Sequence, residues 1–180
     1  YASTDPDFIP EDVPVAMADI SDLKMTIVTN DPTKRYYYTL LFDDKYRVKI
    51  ATRNINIPGV QNFRDLGGYP SYSTKKQMRW GMIYRSAEID SLECSSRREL
   101  KNLGIRTLID LRASSEIGRQ SPLQKGFNVV HIPLATGDME GILKGIREEK
   151  IKSDTVYRMV ERMNRILIDQ YTKEYRQIFD

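Results

Sequence analysis

The hydrophobic pattern changes character near Pro58. Before that point the alternation has a period of two: Tyr46, Val48 and Ile50 alternate with Arg47 and Lys49, as in a strand with one wetted face. The preceding run, Arg35 to Phe42, is rich in tyrosine and leucine, and Asp43-Asp44 separates the two with residues that favour turns, so together they predict a hairpin. Leu23 to Thr29 has the same β texture and is expected to form a further strand. Residues 1–14 scatter Asp, Pro and Ser too densely for a regular element, which predicts an extended lead-in ordered only against a surface. Tyr36 to Tyr38 are read as strand packing in preference to an aromatic binding platform.

Beyond Pro58-Gly59, strand-like and helix-like pieces alternate, which argues for an α/β layer architecture. Met82 to Tyr84 predicts a short strand. Ser95 or Ser96 is placed to cap a helix carrying Leu100 and Leu103, and Gly104 stands where a left-handed residue closes it. Ile105 to Leu111 reads as a buried strand, Ser114 opens a brief helical turn cut short by Gly118 and Pro122, and Phe127 to Ile132 reads as another strand. From Asp154 to Ile178, apolar residues at Val156, Val160, Met163, Leu167, Tyr171, Tyr175 and Ile178 predict one long helix with a single apolar stripe. The expected organisation is a lead-in and small β lobe over residues 1–57, then an α/β domain over 58–180 with its sheet flanked by helices.

Composition narrows the chemistry by exclusion. The formal charge of +3 is too mild to imply a nucleic-acid partner, although it would not repel an anionic substrate. No apolar run approaches the roughly 20 residues of a membrane span. A single cysteine precludes an internal disulfide framework, and a single histidine precludes multi-histidine metal sites; a carboxylate-only site stays open without support, and no cofactor is expected. The chain opens on Tyr1 instead of methionine, so upstream residues are expected to have been removed, as a signal sequence or by trimming.

The densest constellation is Pro58 to Tyr69, which packs an amide, two opposite charges and a glycine pair into a few residues. Gly67-Gly68 permits positive φ or close backbone approach. Arg64 and Asp65 can form a buried pair that fixes the loop; alternatively, Asn62 and Arg64 border an anion site, where arginine offers a planar fork to phosphate. His131, before Pro133, has no Gly-x-Ser-x-Gly elbow to serve and is read as satisfied by neighbouring backbone. Asp110 and Arg112 read as a structural pair at a strand end.

Three separated blocks carry a resemblance: Asn62-Phe-Arg-Asp-Leu-Gly-Gly-Tyr69, Gly81-Met-Ile-Tyr-Arg-Ser-Ala-Glu88, and Leu103-Gly-Ile-Arg-Thr-Leu-Ile-Asp-Leu-Arg112 with Glu116. In order and spacing they resemble the bacterial secreted tyrosine/serine phosphatase family, and residues 169–177 are similar to the helix preceding its catalytic strand. The resemblance implies a phosphatase-like α/β fold and hydrolysis of phosphate monoesters through a cysteinyl-phosphate. In that family a cysteine thiolate attacks phosphorus from a His-Cys-x-x-Gly-Lys-Asp-Arg loop, the arginine clamps the phosphate, and an aspartate protonates the leaving oxygen. Asn62, Arg64 and Asp65 are then expected at the rim of the phosphate site. Asp138 resembles the family's general acid in position, and reads equally as a solvated loop carboxylate.

No such cysteine loop occurs in these residues. Cys94 is followed six positions later by Leu100, and Ser91 to Arg97 lacks the glycines of a phosphate cradle. The nucleophile, catalytic strand and loop are therefore expected to be absent from this chain, leaving it inactive although its parent is a protein-tyrosine phosphatase. The alternative is a phosphatase-like binding module without turnover. The implied partner is a phosphorylated protein or another phosphomonoester. A complementing segment or an element exchanged with a neighbouring copy is expected to fill the gap in the sheet. Members of the family are often exported, which makes a periplasmic or extracellular location the expectation.

Overall fold

The hairpin forms where the alternation places it. Strands β2 (Tyr37–Phe42) and β3 (Tyr46–Ala51) pair antiparallel from Tyr37↔Ala51 to Phe42↔Tyr46, and a two-residue strand β1 (Ala2–Ser3) takes the other side of β2. Asp43 and Asp44 adopt φ of 49° and 54°, the left-handed pair of a tight hairpin turn whose twist matches that of the strands. The computed structural model describes residues 1–29, 31, 34–89, 91–114, 116–117, 126–135 and 139–179. These fall into two units, Tyr1–Gly104 and Ile105–Asp180. The expected division at Ile57 and Pro58 lies inside the first.

In the first unit the lead-in is extended and lies on its own chain: Lys49 Nζ donates to the Pro6 carbonyl at 2.5 Å, Arg47 pairs with Glu11 at 2.9 Å, and Arg79 pairs with Asp7. The expectation for β3 is thereby reversed. Its charged side faces the lead-in, and Tyr46, Val48 and Ile50 are the exposed side. Leu23 to Thr29 forms no strand; a single 3-10 turn (Ile20–Asp22) precedes it, capped by the Asp19 carboxylate. Both sides of β2 are already occupied by β1 and β3, so this segment finds no ladder on that strand, and Leu23 and Val28 stay exposed.

After Ile57, β4 (Arg64–Asp65) and β5 (Tyr84–Arg85) pair antiparallel, the latter two residues later than the expected strand at Met82. Helix α1 (Cys94–Asn102) follows, burying Leu100. Neither serine caps it: Glu93 is the N-cap, without a side-chain hydrogen bond, and Ser96 lies inside the first turn with its hydroxyl enclosed and unpartnered. Gly104, at φ 79°, ends the helix as its position implied.

In the second unit β6 (Thr107–Asp110) and β7 (Asn128–His131) pair in parallel, Thr107↔Asn128 to Asp110↔His131. The α/β class holds, but β6 is half-exposed instead of buried, since among the described residues β7 is its only strand neighbour. Helix α2 (Met139–Arg147) was not anticipated; Gly141 and Gly145 lower its intrinsic propensity. The long terminal helix is broken into α3 (Ser153–Gln170) and α4 (Thr172–Phe179). At the break, the Tyr171 hydroxyl donates to the Ala135 carbonyl at 2.8 Å and accepts from the Ala135 amide at 3.0 Å, while the Thr172 hydroxyl takes the Ile168 carbonyl. Among the described residues no helix is long and apolar enough to cross a membrane.

His131 donates from Nε2 to the Arg112 carbonyl at 2.9 Å, the backbone partner expected of it. Arg112 grips Asp110 through Nε and a terminal nitrogen, the latter at 2.7 Å, and these hydrogen bonds hold the Asp110 carboxyl below its ordinary value near 3.8. A carboxylate lowered on folding stabilises above its unfolded pKa and loses that contribution as pH falls through the folded value. Asp110→Asn is therefore expected to be less stable than the wild type near neutrality. The gap should close as pH falls below about 3.8, which thermal melts across that range would reveal. A constant gap would rule the ion pair out as its source.

Candidate functional site

The site is built on β4. Successive side chains of a strand point to opposite faces, so neighbours Arg64 and Asp65 cannot turn to the same side. This corrects the expected Arg64–Asp65 pair. Asp65 points inward with no solvent exposure, and its partner is Arg35, whose terminal nitrogen lies 2.7 Å from Oδ2. The other oxygen accepts from the Gly67 amide at 2.7 Å, and Oδ2 also accepts from the Gly81 amide at 2.8 Å. Three donors compensate for the cost of enclosing the charge.

Arg35 is held by more than its counter-ion. It donates to the Tyr37 hydroxyl at 3.0 Å and the Thr52 carbonyl at 2.8 Å, and its guanidinium lies over the rings of Tyr37, Trp80 and Tyr84. Burial raises the Tyr37 and Tyr84 phenols above the ordinary tyrosine value, so both are neutral donors and acceptors here. Arg53 lies over Tyr69 and Trp80 and donates to the Asp65 carbonyl at 2.8 Å.

Gly67 and Gly68 are required by close approach. A Cβ on Gly67 would stand 2.5 Å from the Trp80 Cα, and one on Gly68, whose φ is 75°, would stand 2.6 Å from the Trp80 ring. Trp80 thus fills the place where these glycines have no side chain.

The outer side of β4 differs. The Arg64 side chain makes no hydrogen bond or ion pair with any described residue, and its Nε is enclosed and unpartnered. Asn62, exposed at φ 54°, turns the chain into β4 in a left-handed conformation that asparagine tolerates, and an open groove of about 590 Å³ runs along Asn54 to Phe63. Phe63 stacks on Tyr84 at 5.2 Å and anchors the segment beneath. Asn62 precedes β4 and Arg64 lies on its outer side, whereas Asp65, expected at the same rim, turns inward with no solvent exposure. Asp138 lies outside the described residues. Cys94 is exposed at the start of α1. Among the described residues no group of His, Cys, Asp and Glu is placed to hold a metal ion.

Residues 55–180 match the family model described as the tyrosine phosphatase family. This chain belongs to that family. Over 79 residues it is also 38% identical to the triple specificity protein phosphatase PtpB of Mycobacterium tuberculosis, covering 43% of this chain and 27% of that protein. The chain therefore matches about a quarter of that relative's length. The tyrosine phosphatase match includes Arg64, Asp65, Trp80 and Tyr84, but Arg35, Tyr37 and Arg53 precede it. Those three, together with Trp80 and Tyr84, are residues that sequence reasoning did not assign to the site. Arg35 stands 30 positions before its partner and carried no motif to mark it.

Proposed function

We propose that this chain forms the substrate-facing front of a protein-tyrosine phosphatase, a phosphoric monoester hydrolase acting on phosphorylated protein or a related phosphomonoester. The observation that carries the reading is Arg64: a half-buried arginine whose side chain has no partner among the described residues, beside an aspartate wholly committed elsewhere. An unmatched planar cation with an adjacent exposed amide at Asn62 suits a phosphate dianion. In the proposed reaction a thiolate sulfur bonds to phosphorus as the ester oxygen departs, Asp138 gives that oxygen its proton, and water then releases phosphate from sulfur. Residues 58–180 would supply the recognition side of this domain and residues 1–57 its support. Cys94 is not assigned as the nucleophile, because Leu100 stands where the clamping arginine belongs. The second reading, recognition of phosphorylated partners without turnover, rests on the same Arg64.

The test is a titration of the isotopically labelled chain with inorganic phosphate, followed at the Arg64 Nε–H resonance. That resonance and the Asn62 amides are expected to move together and saturate, and in Arg64→Ala the Asn62 response should vanish. An Arg64 signal unmoved by phosphate would sink the reading.

A further inference from the structure

Arg35 lies outside the stretch that matches the tyrosine phosphatase family, yet it carries the counter-charge of Asp65, a residue of that stretch with no solvent exposure. Its two terminal nitrogens span two parts of the unit: one binds Asp65, the other the Thr52 carbonyl at the end of the hairpin. The backbone is tied at the same place, since the Asp65 amide donates to the Arg53 carbonyl and the Ile55 amide to the Phe63 carbonyl, each at 3.0 Å. The segment carrying Asn62 and Arg64 is thus fastened to the β lobe on both sides of Arg64.

We propose that Arg35 is a positioning residue for phosphate recognition: by saturating Asp65 and fastening it to the lobe, it fixes the outward setting of Arg64 and leaves Arg64 without a counter-ion among the described residues. The inference rests on the reading of Arg64 given above. Electrostatics supports it, because an Asp65 without Arg35 would be a buried anion next in sequence to Arg64, drawing that cation's field away from any incoming phosphate. Geometry supports it too. A lysine ammonium has no planar fork with which to reach both Asp65 and Thr52.

The experiment compares wild type, Arg35→Lys and Arg35→Met in the same phosphate titration, with the β6–β7 amide resonances and the emission of Trp80 as controls of fold. Losing a charge-assisted contact is expected to weaken phosphate binding at Arg64 in Arg35→Met by about tenfold or more. Arg35→Lys should fall between, recovering the charge without the second contact. Should Arg35→Met expose Trp80, Arg35→Lys alone decides, through its affinity with Trp80 still buried. Wild-type affinity in a folded variant overturns the inference. A wild-type chain whose Arg64 signal ignores phosphate overturns the reading beneath it, a failure visible before any variant is made.

Discussion

The chain of these 180 residues is expected to release no phosphate from an aryl phosphate above the buffer rate, and Cys94→Ser is expected to change nothing. Covalent phosphoryl transfer needs a thiolate among amides and cations that also hold the dianion, and losing the nucleophile of such a reaction removes many orders of magnitude in rate. Cys94 has the wrong surroundings. It is exposed, its preceding neighbour Glu93 is an anion, and six positions on Leu100 is 1% exposed in the core. A continuous assay with a chromogenic aryl phosphate checks this. Turnover that survives Cys94→Ser would refute the cysteinyl-phosphate mechanism, and turnover abolished by that change would make Cys94 the nucleophile.

Asp65→Ala is expected to be the most damaging single substitution for stability in the first unit. It leaves the Arg35 guanidinium, whose side chain is 9% exposed, without its counter-ion, and strands the Gly67 and Gly81 amides. Breaking one side of a buried pair costs about 3–5 kcal/mol, because the remaining charge stays desolvated. Trp80 is the chain's single tryptophan and lies against this cluster, so its emission during urea unfolding reports on the cluster directly. The double variant Asp65→Ala, Arg35→Met removes both charges and should lose less than the sum of the single variants. A cost for Asp65→Ala under about 1 kcal/mol would mean that the pair contributes little to holding the loop.

Local physics was legible along the chain. The Asp43-Asp44 turn, the hairpin around it, the glycine stop at Gly104 and the close approach at Gly67-Gly68 each depend on a few adjacent residues whose backbone preferences act regardless of what packs beyond them. The three blocks that pointed to the phosphatase family were legible for the same reason, being short segments with fixed internal spacing. What the chain packs against was not. Alternation along β3 showed that it has two unlike sides, but only the course of residues 5–11 decided that Arg47 and Lys49 should face the lead-in. The apolar stripe from Val156 to Ile178 marked the helix; the Ala135 backbone, bonded to Tyr171, decided where it breaks. Arg64 and Asp65 are adjacent and oppositely charged, which makes a pair plausible in one dimension, yet strand geometry turns them apart and a residue 30 positions away takes the aspartate. Periodicity and turn chemistry are properties of neighbours in sequence, whereas the partner of a buried charge is set by which distant segment the fold brings within hydrogen-bonding reach.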